Sequence, residues 1–255
     1  MVGKCLLCGV PRPLVEAHII PKPFFLMHGS TEHPPKVFSN TPGIHPKRTP
    51  TGLYDGAILC DRCDRGIGVW DQYGTEVFIR ELKQFKPLKQ GAGVIGFSRP
   101  EYDYERLKLF LLSVLWRAGA SSREEFKRVK LGPHVGIIGQ MLLTGSAGPA
   151  QQYSPVLSAF TVNNALPDFA IPIMDPFHER WNGVNAYRLS FGVFTAYIKV
   201  DSRSLPQQLE RFILLPAQPL LVIARNYASS SEASVSRDIV RAPLNRRLFR
   251  RPRGE

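Results

Sequence analysis

Four cysteines in a chain of 255 residues fall into two pairs, Cys5-Leu6-Leu7-Cys8 and Cys60-Asp61-Arg62-Cys63, with none left over. A tetrahedral Zn2+ takes four thiolates at about 2.3 Å, and two Cys-x-x-Cys knuckles supply that set. One such pair could serve redox chemistry, but a redox motif adjoins a βαβ pattern and none is legible here. Two disulfides would need an oxidising compartment, which the N-terminus Met1-Val2-Gly3-Lys4-Cys5, lacking an apolar signal region, does not suggest. The spacing therefore predicts a structural zinc ion on Cys5, Cys8, Cys60 and Cys63. Gly9 to Leu59 form a long loop closed by the two knuckles.

Inside that loop, Leu14-Val15-Glu16-Ala17-His18-Ile19-Ile20-Pro21-Lys22 reads as a short strand halted by Pro21. A Pro/Gly/His-rich excursion, about Pro23 to Thr51, reads as irregular. Tyr54 to Leu59 reads as a second strand leading into the second knuckle. From Asp61 to about Leu82, Ile67, Trp70, Tyr73, Val77 and Phe78 recur at helical intervals, with Asp61 as the expected N-cap.

Taken in order, these pieces resemble the HNH (ββα-metal, or His-Me finger) nucleases, in their zinc-stapled branch. The matching residues are Cys5-x-x-Cys8, Ala17-His18-Ile19-Ile20-Pro21 and Leu59-Cys60-x-x-Cys63-Asp64, over about residues 1–85. The resemblance implies that His18 is the general base activating the water that attacks a phosphodiester. A neutral imidazole, with an ordinary pKa of about 6.5, suits that task. It places Asp64 where the family usually has a metal-binding histidine, and Asp55 where it often has the asparagine that orients the base. Ala17 stands where an acidic or histidine ligand is common, and it can ligate nothing. Carboxylates are hard oxygen donors, so the implied catalytic ion is Mg2+ or Mn2+, held by Asp64 with Asp55, Glu16 or Asp71 as further donors. The implied reaction is metal-assisted hydrolysis, in a context of bacterial defence or mobile elements. The alternative is a fold that keeps the zinc and has lost the chemistry, a nucleic-acid-binding or adaptor protein.

The charge balance is compatible with both. The chain has 33 Lys+Arg against 21 Asp+Glu, a net charge of +12. Residues 225–255 are the most basic stretch, with eight arginines against three acidic side chains. Such an excess favours a polyanionic partner, because each phosphate neutralised releases condensed counterions. Lys22, Arg62 and Arg65 beside the motif, and Arg246, Arg247, Arg250 and Arg251 in the tail, are the expected phosphate contacts. Duplex DNA is the expected partner, and a homodimer is left open.

The fold class expected from these patterns is α+β. Residues 1–90 form the zinc-stapled ββα unit, and 91–100, around Gly91-Ala92-Gly93-Val94-Ile95-Gly96, form a linker. Residues 101–227 form a helix-then-strand domain, and 228–255 a flexible arginine-rich tail. In the third part, Tyr104, Leu107, Leu111, Val114 and Leu115 make an apolar helical stripe. Shorter helices are expected at 123–129 and 136–143. Strands are expected at Val156 to Val162, Phe169 to Met174 and Ala186 to Val200, the last with Gly192 as a hairpin point. Arg211 to Ile223 reads as two edge segments, broken by Pro216 and Pro219. The apolar runs are too short to cross a bilayer, so the expectation is a soluble, cytoplasmic chain with no membrane partner.

Overall fold

The computed structural model describes residues 2–27, 35–38, 45–168 and 171–242. The chain begins with a strand, β1 (Val2–Lys4), paired antiparallel with β2 (Pro11–His18). A short helix, α1 (Lys22–Leu26), and a two-stranded ribbon, β3 (Lys36–Val37) with β4 (Lys47–Arg48), lead to β5 (Tyr54–Cys60). β5 pairs antiparallel with β2, giving a three-stranded sheet in the order β1-β2-β5. From β5 the chain enters α2 (Asp61–Thr75) without a loop. The N-cap is Cys60, not Asp61, which is the first helical residue and pairs with Arg65. A π-turn, Glu76–Arg80, continues α2 and brings Val77 and Phe78 into the core.

Residues 91–100 are not a linker. They turn β6 (Lys86–Gln90) into β7 (Gly93–Arg99) through Gly91, whose φ of +57° suits a residue without a Cβ. Helix α3 (Tyr104–Ala120) follows, with Asp103 accepting from the Arg106 amide as its N-cap and thirteen of its residues buried. Residues 123–129 contain only a 3-10 turn, Glu124–Phe126, before α4 (His134–Thr144).

The strand-rich part contains β8 (Pro155–Thr161), β9 (Phe177–Trp181), β10 (Val184–Phe191) and β11 (Phe194–Lys199). It continues with α5 (Gln207–Glu210), β12 (Leu220–Asn226) and α6 (Ser231–Arg241). Gly192 is the hairpin point between β10 and β11, at φ +68°. Residues 171–174 of the strand expected at Phe169 to Met174 have no regular structure, and 169–170 lie outside the described residues. All seven strands of the large sheet, in the order β6-β7-β12-β8-β11-β10-β9, are antiparallel to their neighbours except β12 with β8. β12 thus lies inside the sheet, not at an edge. Both prolines precede Leu220, so every ladder amide of the strand is available for pairing.

The first ninety residues share one core with the rest. The rings of Phe24 and Phe78 pack on Phe110 of α3 at 6.1 and 6.0 Å and on Phe191 of β10 at 5.4 and 5.7 Å. Gly74 permits the close approach of α2 to α3: a Cβ there would stand 2.5 Å from the Phe110 ring. One sheet face, with Leu157, Ala159, Leu189, Phe191, Phe194 and Ala196, belongs to this core. On the other face α6 is anchored through buried Glu232, which accepts from Arg225 and Arg188. Residues 231–241, expected in a flexible tail, are therefore a docked helix. Arg246, Arg247, Arg250 and Arg251 lie outside the described residues.

Candidate functional site

The two knuckles meet because β2 lies between β1 and β5. The β1–β2 turn folds back on itself, with the Cys5 amide donating to the Val10 carbonyl (3.1 Å) and the Gly9 amide to the Cys5 carbonyl (2.9 Å). Leu14 of β2 pairs with Cys60, and Cys63 follows in the first turn of α2. The four Sγ atoms all lie within 4.8 Å of one another, with Cys8 and Cys60 4.0 Å apart. A tetrahedron of Zn–S bonds near 2.3 Å has edges of about 3.8 Å, so the group could hold a metal ion such as zinc. All four cysteines are free, with no disulfide among them.

The thiols are unequal. Burial pushes the Cys5 thiol up, but the backbone amides of Cys8, Cys60 and Leu7 outweigh it and bring the pKa to about 7. The Cys60 amide stands 3.4 Å from the Cys5 Sγ. Burial and the neighbouring Cys8 and Cys60 push the Cys63 thiol strongly up. A divalent ion held by the four cysteines would supply the charge that favours their thiolate forms.

His18 ends β2, opposite Tyr54, whose ring it meets edge-on at 6.1 Å. Its Nε2 lies 2.9 Å from the Thr51 carbonyl. A carbonyl only accepts, so Nε2 carries the proton and Nδ1 keeps the lone pair that a general base needs. The chain's return from the excursion thus selects the tautomer. Asp55 does not perform that task. Its Oδ1 accepts from the Ala57 amide (2.9 Å) and its Oδ2 from the Ser121 hydroxyl (2.7 Å), and it is buried.

Asp64, one residue beyond Cys63, is half-buried and accepts no hydrogen bond among the described residues. Burial raises its pKa, against the lowering charges of Arg117 and His18; Asp71 and Asp61 raise it further. Asp71, further along α2, is bound bidentately by Arg117 at 2.6 and 2.8 Å. Among the described residues the only group of three or more metal-type donors is the four-cysteine set; His18, Asp55, Asp64 and Asp71 do not make a second. Glu16 is exposed at the bulge where β2 and β5 shift register.

The three local cations occupy different surroundings. Lys22 is exposed at the start of α1, four residues past His18. Arg65 is paired with Asp61. Arg62 lines a cleft of about 530 Å³ beside the knuckles, with Arg12, Cys8, Cys63, Trp70 and Leu143.

Comparison of the chain with family models, with curated proteins and with solved structures found no match. The site must be read from its own geometry.

That geometry includes residues the sequence reading missed. Arg117 donates to the His18 carbonyl at 2.6 Å as well as to Asp71. Ser121 holds Asp55, and Arg123 donates to the Tyr54 carbonyl at 3.0 Å. All three come from α3 or its C-terminal end. The one available signal was Arg117 itself, the one cation in the largely apolar C-terminal half of α3. The Thr51 contact is made by a main-chain carbonyl and had no signal.

Proposed function

We propose that this chain is a metal-dependent endonuclease of the HNH type, stapled by zinc and acting on DNA. The observation that carries the reading is the His18 arrangement. A half-buried imidazole, with its Nε2 proton held by Thr51, presents Nδ1 as a base within electrostatic reach of Asp64, a carboxylate that accepts no hydrogen bond among the described residues. Zinc on Cys5, Cys8, Cys60 and Cys63 would fix the β5–α2 junction that carries Asp64. Mg2+ or Mn2+ on Asp64 would clamp the scissile phosphate, while His18 takes the proton of the attacking water. The resemblance over residues 1–85 supports this reading, and the net charge of +12 suits a polyanionic substrate.

A second reading is favoured by a different observation. Asp55 is committed to Ser121, Ala17 offers no ligand, and among the described residues Asp64 joins no group of three or more metal-type donors. A chain that keeps the zinc and binds nucleic acid without cutting it would look the same.

Nicking of supercoiled plasmid with Mg2+ or Mn2+ separates the two. Cutting that disappears in both His18→Ala and Asp64→Ala, at unchanged zinc content, is the expected result. A zinc-replete wild type that binds DNA and does not cut overturns the nuclease reading and leaves the adaptor.

A further inference from the structure

The β3–β4 ribbon puts like charges face to face. Lys36 is directly opposite Arg48, and Val37 is opposite Lys47, so three of four ribbon positions are cationic. Like charges directly across a strand pair are destabilising, and a two-stranded ribbon is marginal even without them. Among the described residues none of the three makes a hydrogen bond or an ion pair, and Lys47 and Arg48 are exposed. Among the described residues the ribbon thus carries three cations without an ion pair, on the least self-sufficient element of the fold.

That element is wired to His18. The Thr49 amide at the end of β4 donates to the Pro35 carbonyl at the start of β3 (2.8 Å), which closes the ribbon. The Thr49 hydroxyl then donates to the Gly52 carbonyl (2.7 Å), fixing the turn whose Thr51 carbonyl receives the His18 Nε2 proton. The charge of Lys47 also reaches Glu125, whose carboxyl is lowered, against burial, by Arg123 and in part by Lys47. Arg123 in turn holds the Tyr54 carbonyl opposite His18. Exposed Lys22 adds a fourth cation close to His18 in the chain.

We propose that this ribbon docks the phosphate backbone of duplex DNA, with Lys36, Lys47 and Arg48 supplying the contacts that place a strand over His18. The proposal rests on the nucleic-acid reading above, and does not require cleavage. A protein that neutralises Z phosphates loses affinity with salt at a logarithmic slope of about −0.9 per contact. The phosphates thus supply countercharge to cations that make no ion pair among the described residues.

The test is fluorescence anisotropy of a labelled 20-base-pair duplex titrated with the full chain across a series of salt concentrations. The proteins are wild type, a ribbon triple (Lys36→Gln, Lys47→Gln, Arg48→Gln) and a control triple (Lys83→Gln, Lys86→Gln, Lys89→Gln). Zinc content and thermal unfolding verify that each is folded. The ribbon triple is expected to flatten the slope by about 2.7, at 0.9 for each of three contacts, and the control by less than 1. An unchanged slope, an equal loss in both triples, or no salt-dependent binding by wild type overturns the proposal. Plasmid nicking on the same samples separates the two readings. A ribbon-dependent slope without cutting defeats the nuclease alone, and cutting with an unchanged ribbon slope defeats the docking alone.

Discussion

The Nη1 of Arg117 donates to the main-chain carbonyl of His18 at 2.6 Å, across ninety-nine positions of sequence. The same guanidinium grips both carboxylate oxygens of Asp71, and its side chain is 1% exposed. The last residue of β2, the middle of α2 and the end of α3 are thereby tied at one point. A guanidinium suits the place because its planar fork grips the carboxylate bidentately and still donates to the carbonyl.

This bridge makes a double-mutant prediction. Arg117→Met should leave Asp71 partly buried and uncompensated, at a cost of about 3–5 kcal/mol. Asp71→Asn alone should cost less, because the amide still accepts from the guanidinium. The pair together should be less damaging than the sum of the two, by 1 kcal/mol or more. Urea unfolding of the four proteins measures this. Strict additivity would mean that the bridge has no energetic role.

Metal removal should act on the fold before it acts on any chemistry. The purified chain is expected to hold one zinc, and Cys60→Ser to lose it. Chelation should lower the melting temperature markedly, since binding to a four-thiolate site is worth about 10–16 kcal/mol in isolated zinc modules. Metal analysis paired with thermal unfolding checks this. A chain that melts identically with and without chelator does not use its cysteines in this way.

A pH dependence follows from Lys108, which lies fully inside α3 and donates to the Pro149 carbonyl (2.7 Å) and the Tyr104 hydroxyl (3.1 Å). Burial lowers its pKa to about 8, with the Glu105 charge acting weakly in the other direction. The folded chain therefore binds fewer protons at this site than the unfolded chain between about pH 8 and the ordinary lysine range near 10.4. Stability must then rise with pH across that window, and the contribution is lost as pH falls through 8. At about 1.4 kcal/mol per pKa unit the gain is on the order of 3 kcal/mol. Lys108→Met should abolish it. The difference between the two proteins' denaturant midpoints at pH 7.5 and 10 isolates this group from the other titrating side chains.

Much of the local structure was legible in advance, for reasons that are themselves local. The β2 and β5 strands, the α2 helix and the α3 stripe follow from side-chain patterns read over a few residues. So does the Gly192 turn, where a positive φ favours glycine. The Gly91–Gly96 stretch was misread because its glycines suggested a linker. Gly96 is needed there for another reason: a Cβ would stand 2.6 Å from the Val222 carbonyl of the neighbouring strand. The Arg211–Ile223 region was misread because proline was allowed to speak for the residues after it, although a strand can begin directly beyond Pro219. In both cases the deciding neighbours were strands distant in sequence: β12 for Gly96, and β7 and β8 for β12.

Residue type and spacing alone picked out the four cysteines, because each Cys-x-x-Cys pair presents its two thiols locally, while the pairing of β2 with β5 brings the two pairs together. His18 was singled out by the resemblance of the motif order to the HNH nucleases. What surrounds that histidine was decided by tertiary structure. The carbonyl of Thr51 chooses its tautomer, Arg117 holds its backbone, and Ser121 takes Asp55 away from it. These partners are a main-chain group and side chains on a distant helix. Their identity depends on how β5 registers against β2 and how α3 crosses α2, and no short stretch of sequence encodes either.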